Sequence, residues 1–172
     1  MKMLNAIVFY RIAHWLYKNH IPLLPKLFQL IIFLCYNCSV PCRIKIGKGT
    51  RFSHGGIGVL INNSVEIGEN CVIGTNCSIV GQTPYNHTPK IKDNVFIANG
   101  AVIQGPVIVG NNVIVGANAV VTSSVPDYAI VAGIPARIIG DTRELGYEIG
   151  KSQATDSTIK KELSWDDYKN NH

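Results

Sequence analysis

The chain has 172 residues, of which 47% are hydrophobic and 16% are charged, so its composition excludes a disordered protein. The length suits one compact domain with a small appendage at each end. A formal net charge of +5 favours an anionic ligand, whereas scattered lysines and arginines, without an aromatic–basic cluster, predict no nucleic-acid partner.

The chain contains five cysteines, an odd number. Its start lacks the basic region, apolar run and small-residue cleavage site that make up a signal peptide in that order. Together these features predict a reduced, cytoplasmic setting. Cys35, Cys38 and Cys42 lie close together in sequence, but no fourth thiol or nearby histidine completes a zinc set, so no metal site is predicted.

Two helices are predicted in an N-terminal segment that covers residues 1–40. Residues 3–19 have a helical pattern with mixed faces, and an apolar helix should run from about Pro25 to Tyr36. The longest uncharged stretch, residues 27–40, is shorter than the roughly 20 residues that a membrane span needs. We expect the helices to pack on each other and cap the next domain. The alternative is peripheral membrane contact, at the inner membrane, through this basic and aromatic-rich end.

An aliphatic residue then returns every six positions between Ile67 and Val121, and only Tyr85 breaks the register. The register consists of Ile67, Ile73, Ile79, Ile91, Ile97, Ile103, Val109, Val115 and Val121. A small or β-branched residue follows four positions after each, Cys71, Thr83 and Ala101 among them. Neither a helix nor an alternating strand has this period, which is typical of a repeat protein.

Each hexad is interpreted as one short strand whose aliphatic and small side chains point into a coil. Three hexads close a triangular coil, stacked coils pair as parallel strands, and asparagines and glycines form the corners. This domain should cover residues 41–140. The remaining residues, 141–172, form a polar tail that is expected to be partly helical, with Asp156 or Ser157 as a helix cap.

Two interruptions of the repeat each contain a histidine. The phase slips across His54–Leu60, which predicts an irregular turn, and residues 81–90 should project as a loop that contains His87. Function tends to be grafted onto such breaks, and histidine is suited to base catalysis at neutral pH. The alternative is that each imidazole only bonds its local turn.

The motifs around these breaks carry a family resemblance. His-Gly-Gly-Ile-Gly-Val-Leu-Ile begins at His54, His87 precedes Pro-Lys-Ile, and Gly-Ile-Pro-Ala-Arg ends at Arg137. Over about residues 43–140 the repeat resembles that of hexapeptide-repeat acyltransferases. Within them the motifs are similar to the serine acetyltransferase-like branch, which includes small O-acetyltransferases of polysaccharide synthesis.

The resemblance implies a mainly β fold: a single-stranded left-handed parallel β-helix with a short N-terminal helical cap and a C-terminal helical tail. It also implies a homotrimer in which two histidines meet between subunits, with His54 as general base and His87 as the second active-site histidine. Acetyl-CoA would be the co-substrate, and its thioester is already activated, so no protein nucleophile is needed.

The resemblance further implies where the coenzyme binds. Positions that line the pantetheine groove match Gly81, Asn99, Gly100 and Ala117. Arg137 is a reasonable partner for a coenzyme phosphate, with an ordinary solvated arginine as the alternative.

Three positions depart from the serine acetyltransferase pattern. Ser53 and Ser39 stand where those enzymes have acidic residues, and Asn86 replaces an arginine. The ammonium and carboxylate groups of a free amino acid need charged partners in a binding site. We therefore expect a sugar hydroxyl in surface polysaccharide synthesis as the acceptor, with serine as the alternative.

A zinc enzyme of the carbonic anhydrase type would need a third histidine in the coils. From another class, a non-catalytic scaffold or membrane-docking subunit is also compatible with the sequence.

Overall fold

A computed structural model describes residues 5–84, 87–145 and 149, and places two helices before a stack of short strands. Helix α1 is Ala6–Lys18, and its N-cap Asn5 accepts a hydrogen bond from the Ile7 N–H at 3.1 Å. Helix α2 is Leu24–Tyr36, and it ends at Asn37 in the left-handed conformation. The two predicted N-terminal helices are therefore confirmed, whereas the predicted C-terminal helix, with Asp156 or Ser157 as its cap, lies outside the described residues.

Twelve short strands of the described chain form four coils. The first coil contains β1 (Lys45–Ile46), β2 (Arg51–Phe52) and β3 (Leu60–Ile61). The second contains β4 (Glu66–Ile67), β5 (Val72–Ile73) and β6 (Ser78–Val80). The third contains β7 (Lys90–Ile91), β8 (Phe96–Ile97) and β9 (Val102–Gln104). The fourth contains β10 (Ile108–Val109), β11 (Ile114–Val115) and β12 (Val120–Val121).

Corresponding strands of successive coils pair in parallel and form three faces. One sheet has the order β1-β4-β7-β10, another β3-β6-β9-β12, and the remaining one contains β2-β5-β8-β11. Two further strands, β13 (Ala129–Ala132) and β14 (Arg137–Asp141), extend this last sheet. β13 pairs with β11 in parallel, whereas β14 returns antiparallel to β13, and this hairpin was not predicted.

The three faces meet at three edges, which are numbered in chain order; the first edge lies between the first and second strands of each coil. The second edge lies between the second and third strands of each coil and consists of residues 53–59, 74–77, 98–101 and 116–119. The third edge lies between the third strand and the following coil and consists of residues 62–65, 81–84, 87–89, 105–107 and 122–124.

The predicted six-residue register forms the core. Strand pairing aligns Ile73 with Ile97 and Ile97 with Val115, and all three side chains are fully buried. The corners behave as expected, because Asn70, Asn76, Asn94, Asn112 and Asn118 have φ between 54° and 56°. Thr83 is an exception to the inward small positions: it is exposed, because the chain has already left the coil at the second break.

Helix α1 covers the open end of the first coil. The Tyr10 hydroxyl donates to the Ile44 carbonyl at 2.7 Å, and burial raises the pKa of Tyr10 to about 12. Arg11 donates to the Gly47 carbonyl at 2.9 Å. Phe9 packs against Phe28 of α2, with ring centroids 6.4 Å apart. Within the described ranges, neither helix is long and apolar enough to cross a membrane.

Four of the five cysteines are buried, and Cys35 is exposed. The Cys71 and Cys77 thiols donate to backbone carbonyls at 3.1 Å, and burial raises the pKa of the Cys38 thiol to about 12. Since the thiolate is the reactive form, we expect iodoacetamide to label only Cys35 in the native protein, and all five after denaturation. Peptide mass spectrometry reads this out, and native labelling of Cys71 or Cys77 would contradict it.

Candidate active site

His54 stands at the second edge, on a turn that the sequence shapes tightly. The turn consists of Ser53–Gly56; His54 has φ 46°, in the left-handed region, and its side chain is exposed. Gly55 and Gly56 follow with φ of 81° and 91°, a conformation that favours glycine. Consecutive residues of positive φ turn the chain sharply, so the imidazole projects from the edge instead of entering the core.

The N-terminus of α1 supports this turn, which sequence reasoning missed. The Asn5 side chain caps α1 and also donates to the Phe52 carbonyl at 2.7 Å, directly before the turn. A Cβ on Gly56 would lie 2.9 Å from the Phe52 ring and 3.2 Å from the Ala6 Cβ. An asparagine before a helical pattern is a visible cap signal, but its contact with Phe52 is not local and leaves no trace in the sequence.

Replacing Gly56 should therefore disturb the site through its backbone. We expect Gly56→Ala to lower the free energy of unfolding by about 1–3 kcal/mol, because φ of 91° and the Phe52 ring both oppose a Cβ. Urea denaturation measures the change. Gly140→Ala is the matched control, since its Cβ would meet Ile130 at an ordinary 3.4 Å. Equal stability of the two variants would contradict this account of the turn.

Three of the predicted coenzyme residues lie above His54 on the same edge. The corners stack through backbone hydrogen bonds, with Gly100 N–H donating to Thr75 and Asn118 N–H to Asn99. The Asn99 side-chain oxygen accepts from the Thr75 N–H at 3.0 Å, while its NH₂ group makes no hydrogen bond within the described chain. Asn99 and Ala117 are exposed, so both are accessible to a molecule that binds along this edge.

Arg137 stands at the far end of the same edge. The β13–β14 connection is fixed beside the top coil, where Ala136 N–H donates to the Val120 carbonyl at 2.8 Å. Arg137 is exposed and donates to the Ala136 carbonyl at 2.9 Å, and no carboxylate among the described residues pairs with it. Three coil spacings of about 4.8 Å separate the first coil from the fourth, so this edge suits an elongated ligand about 14 Å long or more.

Gly81 and His87 lie on the third edge instead. His87 is exposed, and the neighbouring Thr88 hydroxyl anchors its loop by donating to the Ser64 carbonyl at 2.7 Å. A single chain therefore does not bring His54 and His87 to one edge. The face formed by β3, β6, β9 and β12 separates them.

The two predicted glycines differ in what requires them. Gly100 has φ 74°, and a Cβ there would collide with the Asn118 side chain, so the corner itself explains this glycine. A Cβ at Gly81 would meet Thr88 and Asn62 at ordinary distances of 3.4 and 3.7 Å. The packing of the chain itself therefore does not require glycine at position 81. A glycine there is consistent with the close approach of a bound molecule or a neighbouring subunit.

The imidazole of His54 has no hydrogen-bond partner within the part of one chain that the structure describes. Ser53, in place of an acidic residue, is half-buried, and Ser39 is exposed. Ser39 extends the third face below β3, where its carbonyl accepts from Ile61 N–H at 2.8 Å. Asn86 lies outside the described residues.

Comparison with known proteins places the chain in a family. Residues 88–123 match the model described as bacterial transferase hexapeptide (six repeats). The serine acetyltransferase of Synechococcus elongatus is 33% identical over 137 residues, which are 78% of this chain and 56% of that protein. The serine acetyltransferase of Staphylococcus epidermidis is 36% identical over 151 residues, covering 87% of this chain and 69% of that protein.

Solved structures agree with these relatives. Serine acetyltransferase from Brucella abortus strain S19, in complex with coenzyme A, aligns with a TM-score of 0.75 at 32% identity, covering 80% of this chain and 55% of that chain. The match confirms the predicted β-helix fold. This chain thus spans between about half and two thirds of the length of these relatives. It belongs to the hexapeptide-repeat transferase family, in its serine acetyltransferase-like branch.

Proposed function

We propose that the chain is an acetyl-CoA-dependent O-acetyltransferase that works as a homotrimer. The observation that carries the proposal is the division of the candidate residues between two edges. His54, Asn99 and Arg137 follow the second edge, whereas His87 and Gly81 lie on the third. In a ring of three copies the second edge of one subunit can face the third edge of its neighbour, which completes the site.

Each residue has a role that follows from its place. His54, exposed and unpaired in the described chain, takes the proton from the acceptor hydroxyl as its oxygen attacks the thioester carbonyl. Acetyl-CoA supplies an activated acyl group, and the coenzyme thiolate leaves. Asn99 offers its free NH₂ group along the groove, and Arg137 provides a cation for a coenzyme phosphate. Gly81 of the neighbouring subunit leaves room for the coenzyme arm.

Serine is the acceptor that the comparisons favour. The two relatives and the solved structure named above are serine acetyltransferases, and none of the three is named for a sugar acceptor. The serine alternative is thus better supported than the sugar acceptor expected from the sequence. We therefore propose transfer to the serine hydroxyl as the leading candidate.

A sugar hydroxyl stays the second candidate because of one observation about the site. Ser53 lies beside the catalytic candidate and cannot pair with the ammonium group of an amino acid as a carboxylate would, and Ser39, on the adjoining face, cannot orient the imidazole as a carboxylate would. An uncharged hydroxyl compound makes no such demand. The two serines in place of acidic residues thus affect the choice of acceptor, and acetyl-CoA remains the proposed acetyl donor.

Release of coenzyme thiol distinguishes the two acceptors. The full-length protein is assayed with acetyl-CoA and either L-serine or a nucleotide-linked hexose, with the His54→Asn protein as background. A kcat/KM for L-serine at least about 100-fold above that for the hexose supports serine, and the reverse supports the sugar. Failure to bind acetyl-CoA by calorimetry would overturn the proposed activity in favour of a non-catalytic scaffold.

A variant sharpens the same assay. If the missing carboxylates limit the use of serine, Ser39→Asp/Ser53→Asp should raise kcat/KM for L-serine while the KM for acetyl-CoA stays constant. No gain with serine, together with turnover of the hexose by the unaltered protein, would favour the sugar.

A further inference from the structure

Helix α2 and the residue before it expose a row of large apolar side chains that the proposed reaction does not use. We call this row the helical apolar surface; it consists of Leu23, Leu24, Leu27, Leu30, Phe33 and Leu34. Their exposed fractions range from 43% to 77%, with Leu23 and Leu34 the most exposed. On α1, Trp15 is exposed by 60%. Contiguous exposed apolar side chains of this size indicate an interaction surface.

The other side of α2 already has its packing partners. Pro25, Ile32 and Tyr36 are buried against α1 and the first coil. A helix that lies between a core and water normally has a polar outer face. Here both sides are apolar, and at 13 residues α2 is too short to cross a bilayer. The outer side of α2 is therefore suited to partial insertion into an apolar phase, without crossing it.

The formal charge of the segment that contains this surface favours an anionic partner. None of the 11 acidic residues precedes Glu66, whereas eight of the 16 lysines and arginines do. Residues 1–65 thus carry only positive formal charge, and the rest of the chain has more acidic than basic residues. Two copies of this region would repel each other, while an anionic surface would attract it.

A cationic groove opens beside the helical apolar surface. Its volume is about 360 Å³, and Leu23, Lys26, Tyr17 and Arg43 are among the residues that line it. The Arg43 guanidinium lies 6.0 Å from the centre of the Tyr17 ring. Neither Lys26 nor Arg43 forms an ion pair with a described carboxylate, so both are available to an anion. Leu23 belongs to both features, which brings apolar and cationic contacts together.

We propose that the helical apolar surface docks on an anionic phospholipid membrane, with Lys26 and Arg43 against the lipid phosphates. The leucines and Phe33 enter the boundary between headgroups and acyl chains, and the basic residues supply the electrostatic attraction. This peripheral contact goes beyond the proposed acetyl transfer and does not depend on it.

Vesicle flotation of the full-length protein, without acetyl-CoA, tests this docking. The protein should float with phosphatidylcholine vesicles that contain about one third phosphatidylglycerol, and much less with phosphatidylcholine alone. Raising the salt from about 0.1 M to 0.5 M should weaken the binding, because screening removes the electrostatic part. Absence of binding to the anionic vesicles would overturn the proposal.

Matched variants locate the contact. Leu27→Gln/Leu34→Gln should weaken vesicle binding roughly tenfold or more, whereas Ile138→Gln/Ile139→Gln should not change it. The control removes two aliphatic side chains of similar exposure, 60% and 67% against 51% and 71%, from β14 beyond the last coil. Equal binding by both variants would overturn the assignment. So would a smaller oligomer for the leucine variant by light scattering with unchanged vesicle binding, because the surface would then belong to a second copy.

The cations are tested in the same way. Lys26→Glu/Arg43→Glu should lose roughly tenfold or more in affinity for the anionic vesicles. Lys90→Glu/Lys92→Glu, which makes the same charge change at the start of β7 and at the residue after it, should retain most of the binding. If both variants lose affinity equally, net charge alone accounts for the attraction and the groove has no specific role.

Discussion

The His54→Asn protein should transfer acetyl groups about 100-fold more slowly than the unaltered protein, or slower still. The reason is chemical, because the asparagine amide cannot accept the proton of the acceptor hydroxyl. Asparagine is chosen because His54 has φ 46°, and the corner asparagines of this chain adopt φ of 54–56°. The backbone of the turn is thus preserved while the base is removed.

His20→Asn is the matched control for this measurement. His20 is also exposed and also has a positive φ, of 57°, but it follows α1, away from the second edge. We expect its kcat to match that of the unaltered protein. Acetyl-CoA affinity, measured by calorimetry, should change little in either variant. If His54→Asn retained more than about a third of the turnover, His54 could not be the general base.

The core of this fold could be predicted from the sequence because its physical requirement repeats. Each inward position of a coil must be filled by an aliphatic side chain, and Ile73, Ile97 and Val115 satisfy it at six-residue spacing. The corners could be predicted equally well, because asparagine and glycine tolerate the positive φ that a corner requires. The histidines were found for the opposite reason, because they stand where this regularity fails.

The arrangement of the site was less accessible to sequence reasoning. His87 is nearer in sequence to Asn99 than His54 is, yet the fold places His54 and Asn99 on one edge and His87 on another. The edge on which a residue lies depends on the path that the backbone takes through each interruption of the repeat. The amino-acid composition does not reveal that path. The place of Arg137 depends on the antiparallel β13–β14 hairpin, which departs from the six-residue register. The bracing of the His54 turn by Asn5 rests on a contact between distant parts of the chain.

Mixed trimers test the edge arrangement directly. His54→Asn and His87→Ala chains should each be nearly inactive alone. If one active site takes His54 from one subunit and His87 from the next, a mixed trimer contains one site in which both histidines are intact. Random assembly of equal amounts should therefore restore about one quarter of the normal rate.

The experiment needs chains that assemble together, so the two variants are co-expressed with different affinity tags and purified for both tags in sequence. This selects mixed trimers, in which one site in three should work, so the rate should rise to about a third of normal. A mixture of separately purified trimers that do not exchange is the control and should stay inactive. If doubly tagged trimers were as inactive as either parent, the two histidines would have to act from the same chain. That result would contradict the structure described here, in which the face of β3, β6, β9 and β12 separates them, and with it the proposal that the active site lies between subunits.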